Sequence, residues 1–517
     1  MRRLSLIGYA LLCLACALVA SRAAASPIFE LVGGDDAGFA GRAMPAGPRA
    51  AYFNPALLLD VPSGATVGLF VLSQQLDVEV GARGESAACA RGACDVPAVN
   101  GAGPESFRHA DGTPVALPTL PTSWLEHGRS DGMQSLAARP RQAAGSGHDT
   151  HAFLALGLVN APIPERFAFG VSVLMPLSDY MQARSFYNDE REQFFSNSLH
   201  HELYGDRLQA AGVAFGAAIR PFQALSIGAS LTLDVASAAR APVYVSNLAD
   251  LNTLLIDSRV GVSLQLAPHA GIALTPSKWL RLTGTVHSPQ GTRIDTGFAY
   301  LIASGIEQRA SQSFEIGYLP WTFGLGAELT MGGANDESLG LPVEHAAPVW
   351  TLGVSGTYAL WSNYRDRHAE QPSGAYAWSD VFGASATARC RASHLGGYVS
   401  GTFAASPVPD QTGRSNYVDS DRVGVALGGS YELSLLGLPM TLALDTQLHR
   451  LLPRSTEKRS GRAADLVRDE VPDDAVGGTP RGPIPGRAGL QTNNPGFPSF
   501  ASQGIVFGAG ARISVAY

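Results

Sequence analysis

The chain has 517 residues and a formal net charge of −7, and only 16% of its residues are charged. The negative charge argues against a nucleic-acid partner, which would be held through basic side chains. The low charged fraction, against about 25% in soluble proteins, and the 58 glycines suit strands that face lipid. A mean hydropathy of +0.06 is too low for a bundle of membrane helices.

Residues 1–25 have the pattern of a secretory signal peptide. Arg2 and Arg3 precede an apolar run over residues 4–20, and small residues follow at 23–25. A membrane anchor is the alternative, but the run is marginal in length for a span. Export would place Cys89 and Cys94 in an oxidising compartment, where a small disulfide loop is favoured over metal binding.

Beyond residue 25 the clearest pattern is alternation of apolar with small or polar residues. At the C-terminus, Ile505, Phe507 and Ile513 alternate with Gly508 and Ser514, so one face of a long strand is apolar. The same pattern predicts 14 strands, an even number, as in bacterial outer-membrane barrels. They lie near 64–80, 149–161, 166–180, 207–220, 225–240, 258–274, 279–289, 311–331, 348–363, 379–392, 395–406, 420–433, 439–452 and 502–517.

These strands predict an all-β fold, a 14-stranded antiparallel transmembrane β-barrel over residues 61–517. Short turns alternate with long external loops at 81–148, 181–206 and 453–500. Such a barrel leaves a wide lumen unless something fills it. The Gly-, Ala- and Pro-rich residues 26–60 before the first strand therefore predict an N-terminal hatch, a plug inside the lumen. The aromatic residues near strand ends have two readings, an interfacial girdle or ordinary packing: Trp279, Trp350, Trp361 and Tyr431.

The sequence contains no convincing catalytic constellation. It lacks a G-x-S-x-G, an H-E-x-x-H and a phosphate-binding Gly-rich loop with its Lys. His200 and His201 are adjacent, and neighbouring residues on a helix point in different directions, which favours a solvated loop face over a metal pair. We therefore expect no enzyme activity, no cofactor and no metal.

Several short motifs resemble those of the FadL-type outer-membrane transporters of long-chain fatty acids and other hydrophobic compounds. Early in the chain these are Gly41-Arg42-Ala43 and Asn54-Pro55-Ala56. Later matches are Ser406-Pro407-Val408-Pro409-Asp410 with Asp419-Ser420-Asp421-Arg422, Leu319-Pro320, and Trp361-Ser362. The resemblance runs over residues 33–517 with weak stretches at 81–148 and 453–500. The family's barrels usually end in Phe, whereas this chain ends in Tyr517.

The resemblance implies a hatch-filled barrel that binds apolar ligands between its outer loops and releases them sideways into the membrane. The strand at 166–180, with Pro176, would hold the lateral gap. The implied partners are a hydrophobic small molecule, outer-membrane lipid and the barrel assembly machinery, which the terminal aromatic residue would still engage. The ligand-binding candidates are Phe29, Phe39, Phe53, Phe194, Phe195 and Leu199.

Other interpretations remain open at this point. Phe29, Phe39 and Phe53 would equally suit packing of the hatch, and the motif at residues 54–56 would suit a turn that joins hatch to barrel. A diffusion porin for polar solutes would have a charged lumen and no plug, whereas the inward faces here are mostly small. A structural or adhesive barrel would display the long loops, but these contain no repeats.

Overall fold

The structure is a computed structural model. It describes residues 28–32, 35–80, 144–177, 201, 203–204, 211–245, 254–256, 259–302, 307–332, 348–365, 371–372, 377–410, 417–435, 437–457 and 499–517. In this part of the chain, no helix is long and apolar enough to cross a membrane. The predictions that concern the signal peptide, the disulfide pair at residues 89 and 94, and the loop residues Phe194, Phe195 and Leu199 lie outside the described residues.

Seventeen strands are described, and fourteen of them form one closed ring. Each ring strand pairs antiparallel with the next, and the last strand pairs with the first from Gly64↔Ala516 to Val80↔Phe500. The strands are β1 (Gly64–Val80), β2 (Ala144–Ile163), β3 (Phe167–Pro176), β4 (Gly212–Phe222), β5 (Leu225–Val245), β6 (Leu254–Ile256), β7 (Arg259–Ser277), β8 (Leu280–His287), β9 (Gln290–Ile302), β10 (Glu307–Leu319), β11 (Thr322–Gly332), β12 (Val349–Ala359), β13 (Val381–Ala392), β14 (Leu395–Ala404), β15 (Arg422–Leu435), β16 (Leu438–Glu457) and β17 (Ser499–Ala516).

The ring consists of β1 to β5, β7, β8 and β11 to β17, which confirms the predicted number of 14. The single strand predicted over 311–331 is wrong. Pro320 has no N–H to donate to a ladder, and the chain leaves one strand at Leu319 and starts another at Thr322. The hairpin of β9 and β10 lies beyond the ring, where β9 pairs in parallel with the outer half of β5.

The two faces of the ring differ as the alternation predicts. Outward side chains such as Leu69, Leu427 and Leu444 are more than half exposed, while inward ones such as Thr387 and His449 are fully buried. A closed ring pairs its backbone groups internally, so this apolar belt can face lipid. Among the aromatic residues near strand ends, three are about half exposed and suit a girdle (Trp279, Trp350 and Tyr431), whereas Trp361 is buried in packing.

The described residues at 28–60, which we call the N-terminal segment, lie inside the ring. The segment contains the short helices α1 (Ile28–Leu31) and α2 (Ala50–Phe53) and three 3-10 turns, of which the last is Pro55–Asp60. Most of its apolar side chains are fully buried and form the main apolar core with inward residues of the strands. The N-terminal segment therefore packs against the inner face of the barrel wall.

The turn from α2 toward the first strand is fixed by Asn54. Its side-chain oxygen accepts from the Ala56 backbone N–H at 3.2 Å, and its amide donates to the Arg42 carbonyl at 3.1 Å. Pro55 starts the 3-10 turn, where a missing N–H costs nothing because the first N–H groups have no partner within the turn. This geometry accounts for the motif at residues 54–56 as a structural element.

Candidate functional site

Ion pairs and hydrogen bonds join the N-terminal segment to strands on several sides of the ring. Asp60 pairs with Arg220 of β4 at 2.6 Å and Arg281 of β8 at 3.4 Å. On the opposite side, Asp36 pairs with Arg389 of β13 at 3.1 Å. Further hydrogen bonds connect β13, β14 and β16 to backbone atoms at residues 31, 37 and 39. The segment is thus held as part of the barrel interior.

A cavity of about 190 Å³ lies between the N-terminal segment and the strand ends remote from Tyr517. We call it the outer cavity. Its floor is formed by α1, α2 and the residues around them, and its walls by β8 to β15 and the loops between them. The aromatic lining residues include Phe39 and Phe53 from the segment and the buried Tyr318 and Trp361 from the wall.

A buried ion pair lies at the floor of the outer cavity. Arg42 donates to Glu30, and the Tyr52 hydroxyl donates to the same carboxylate oxygen at 2.7 Å. Burial alone would raise the pKa of Glu30, but the charge of Arg42 and these hydrogen bonds bring that pKa below its ordinary value. The pair is therefore ionised and has no net charge.

An aromatic cluster borders the outer cavity at Trp361. The rings of Tyr364 and Trp378 are stacked with centroids 3.5 Å apart, and Tyr318 and Trp361 pack around them. Rings in such arrangements bury a large apolar area with defined geometry. The cluster gives this side of the cavity a rigid apolar wall.

The two late motifs of the sequence meet at the outer rim. Ser406 donates its backbone N–H to Asp421 at 2.7 Å and its hydroxyl to Asp419 at 2.7 Å, and Arg454 donates to the carbonyl of Val408 at 2.8 Å. Burial raises the pKa of Asp419 to about 6, against the opposing effects of Ser406 and Arg454. We call this group the rim knot, and its Asp419 lines the outer cavity.

A pair of histidines packs beside Tyr52 at the floor of the outer cavity. The rings of His269 and His287 have centroids 4.3 Å apart, and Tyr52 packs edge-on against both. Nε2 of His287 lies 3.2 Å from the carbonyl of Phe53, and Gln290 lies 3.1 Å from His269. Both rings of this cluster have hydrogen-bonding partners, and His287 lines the outer cavity. Within the described ranges, no three His, Cys, Asp or Glu side chains are grouped to hold a metal.

A second cavity, of about 50 Å³, lies beside β1, β2 and β3, and we call it the wall cavity. Its lining includes Phe29 and Pro48 of the N-terminal segment together with Leu156 and Val173 of the wall. Leu156 is 38% exposed on the lipid-facing side of β2. Val32 lines both cavities and therefore lies between them.

The structure separates the predicted ligand residues. Phe39 and Phe53 line the outer cavity, whereas Phe29 lines the wall cavity and stacks on Tyr52 with centroids 4.7 Å apart. Pro176 is the last residue of β3, and residues 167–174 of β3 pair continuously with β4. A role for any of these residues in ligand binding stays a prediction.

Sequence reasoning missed most of the polar residues at the cavity floor. Glu30 and Tyr52 carry no motif, and His287 and Gln290 lie more than 200 residues away from the segment they face. Arg42 belongs to the Gly41-Arg42-Ala43 motif, but no pattern in the sequence indicates that Glu30 is its ion-pair partner. These side chains meet only because the register between paired strands places β8 and β9 beside the N-terminal segment.

The closed antiparallel ring with its exposed apolar belt defines a transmembrane β-barrel of the bacterial outer membrane. No family model and no curated protein matches the chain. Among solved structures, a FadL homologue of Pseudomonas aeruginosa is 14% identical with a TM-score of 0.47, over 96% of this chain and 98% of that one.

Two further solved structures are similar over nearly their whole length. The toluene transporter TodX of P. putida is 10% identical with a TM-score of 0.45, and 94% of this chain covers 98% of it. The toluene transporter TbuX of Ralstonia pickettii is 11% identical with a TM-score of 0.42, over 96% of this chain and 99% of that one.

Proposed function

We propose that this barrel transports hydrophobic small molecules, fatty acids among them, passively across the outer membrane. One observation carries the proposal: a buried N-terminal segment packs against inward-facing residues of the strands, and a cavity lined in part by aromatic residues lies between this segment and the strand ends remote from Tyr517. Apolar ligands bind in concave sites with apolar walls and a few polar groups. The outer cavity has this composition.

In this proposal the N-terminal segment acts as a hatch. A porin for polar solutes needs a continuous aqueous path, and the hydrogen bonds and ion pairs of the segment to β4, β8, β13, β14 and β16 argue against one. A ligand that reaches the floor of the outer cavity would have to pass α1 or displace it. Hence the segment is the element we expect to control passage.

We further propose that the ligand leaves sideways through the wall cavity. Val32 separates the two cavities, and beyond it the lining changes from segment residues to lipid-facing side chains of β2 and β3. Release into lipid keeps apolar surface out of water, which is favourable by about 25 cal/mol per Å². The path would thus lead from the outer cavity past Val32 and Phe29 into the membrane.

Transport is tested by uptake of labelled oleate, an alkane and a sugar in cells with and without the protein. We expect oleate or alkane uptake to depend on the protein and sugar uptake to be indifferent to it. A protein-dependent sugar flux alone would favour the porin. A variant that lacks residues 26–55 but assembles and transports normally would contradict the hatch.

The lateral path is tested at Val32, where one substitution should slow uptake and a second should not. Val32→Trp fills the passage between the cavities and should slow uptake several-fold, whereas Val32→Ala widens it and should leave uptake equal or faster. Heat-modifiable migration in gels verifies that both variants form the barrel. If both variants transport like the unaltered protein, the path does not run past Val32.

A further inference from the structure

The outer cavity has a polar edge with a specific hydrogen-bonding character, which bears on the kind of molecule it takes. Three lining residues that lie close together in the chain contribute to it: His287 at the end of β8, Ser288, and Gln290 at the start of β9. All three side chains are at least nine-tenths buried. Nδ1 of His287, Oγ of Ser288 and Oε1 of Gln290 have no hydrogen-bond partner among the described residues.

The contacts of His287 determine which of its nitrogens carries the proton. Nε2 lies 3.2 Å from the backbone carbonyl of Phe53, and a carbonyl can only accept, so Nε2 carries the hydrogen. In the neutral ring, Nδ1 is then an acceptor. The closest charged atom to it is a carboxylate oxygen of Glu30 at 4.0 Å, which is also an acceptor.

The side-chain amide of Gln290 has a matching arrangement. Its NH₂ group donates to Nε2 of His269 at 3.1 Å, which leaves Oε1 as a buried acceptor without a partner among the described residues. Thr232 also hydrogen-bonds the same nitrogen of His269 and so fixes that ring. The NH₂ group of Gln290 therefore holds the side chain in place, and its Oε1 atom has no hydrogen-bond partner among the described residues.

This edge thus offers two buried acceptors, His287 Nδ1 and Gln290 Oε1, and one hydroxyl, Ser288. A buried polar group left without a partner costs about 1–3 kcal/mol. A pure hydrocarbon leaves all three without a partner, and a carboxylate would bring further acceptors against them and against Glu30. A neutral hydroxyl donates its hydrogen to an acceptor and can accept from Ser288.

We propose that His287, Ser288 and Gln290 form a subsite for the hydroxyl of a neutral, otherwise apolar ligand, such as a phenol or a long-chain alcohol. The proposal rests on the transport function proposed above and narrows its ligand class. The ring or chain of the ligand would lie against the aromatic wall of the cavity, and its hydroxyl at the polar edge. A site built to pair a hydroxyl discriminates strongly against the analogue that lacks one.

Three probes of one shape test the proposal: p-cresol, p-xylene and p-toluate carry a hydroxyl, a methyl and a carboxylate on the same methylbenzene. Binding is measured by equilibrium dialysis against the barrel in lipid nanodiscs, with empty nanodiscs subtracted to remove partition into lipid. We expect p-cresol to bind roughly tenfold more tightly than p-xylene, as one or two buried hydrogen bonds imply. We expect p-toluate to bind more weakly than p-cresol.

Variants assign the preference to the subsite. Ser288→Ala and Gln290→Met should each reduce the ratio of p-cresol to p-xylene affinity about threefold, through loss of part of a hydrogen bond. Ser355→Ala is the matched control, because Ser355 lines the same cavity but its hydroxyl is already bonded to Ser385 at 2.7 Å. This control should leave the ratio unchanged.

The outcomes separate this proposal from the transport proposal. Equal affinity for p-cresol and p-xylene, tighter binding of p-toluate, or a preference that survives both subsite variants would overturn the hydroxyl subsite and leave transport of hydrophobic molecules standing. Absence of binding by every probe, together with no protein-dependent uptake of oleate or alkane, would overturn both.

Discussion

The lipid-facing and lumen-facing sides of the barrel wall are built from the same strands but obey different rules. Outward side chains face lipid and need only be apolar, so their identity is loosely specified. Inward side chains meet the N-terminal segment, and here small residues are required wherever its backbone comes close. Gly228 is an example, because a Cβ there would overlap the backbone of Pro55 and Ala56. Residue choice is thus limited by hydrophobicity on the lipid-facing side and by the available space on the lumen-facing side.

The largest effect should come from a charge at the middle of the lipid-facing side. Leu427→Arg is expected to destabilise the barrel by about 2–4 kcal/mol, because Leu427 is 54% exposed near the centre of β15. The same substitution at Leu395, beside the turn that starts β14, should cost only about 0–1 kcal/mol. Folding titrations into lipid vesicles measure both, and equal costs would show that Leu427 does not face the bilayer core.

The next largest effect comes from adding one methyl group, which should destabilise the barrel on its lumen-facing side but not on its lipid-facing side. Gly228→Ala should cost about 1–3 kcal/mol, because the new methyl meets backbone atoms that cannot rotate away. Gly356→Ala is the control on the lipid-facing side, where the nearest atom is 3.9 Å from the new methyl, and it should change stability by less than about 0.5 kcal/mol. Indistinguishable melting temperatures would argue against close packing of the segment on β5.

A smaller loss should follow from Asn54→Ala, which removes the cap of the last 3-10 turn of the segment. Asn54 is fully buried, and the backbone groups at 42 and 56 would lose their partner, at about 1–2 kcal/mol. Asn160→Ala provides the comparison, because within the described residues Asn160 has no side-chain hydrogen bond. Thermal unfolding followed by gel migration should separate the two variants.

Substitutions in the rim knot should have the smallest effect on the stability of the whole ring. The reason is that an outer loop can open locally while the ring stays folded. Burial raises the pKa of Asp419 from 3.8 to about 6, so the folded loop retains a proton that the opened loop has lost. The opening free energy of the loop should therefore fall as pH rises between about 4 and 6. Asp419→Asn should remove this dependence in hydrogen exchange at residues 417–420, and an unchanged profile would assign it elsewhere.

The same contrast explains what the sequence predicted. A period of two is local, so the strands near 502–517 and 225–240 could be predicted from their own alternation, and the number of strands in the ring followed. The break at Pro320 was missed although Leu319-Pro320 had been noticed as a motif, because its neighbours on both sides continue the apolar pattern. The hairpin of β9 and β10 was missed with it.

The cavity could be predicted only in part. Phe39 and Phe53 were named because aromatic residues in a lumen-filling segment are conspicuous, and both line the outer cavity. His287 and Gln290 were not, since nothing near them in the chain indicates that they face residue 53 or residue 269. Such contacts depend on the register of distant strands, which no local pattern specifies.

The antiparallel seam between β1 and β17 has a consequence for how the molecule is made. It joins Gly64 to Ala516, so the ring cannot shut until residues 64–516 have all been delivered. Contacts so distant in sequence form slowly, and until then apolar strands lack their lipid neighbours. The N-terminal segment precedes β1 in the chain, yet the ring around it closes only when β17 meets β1.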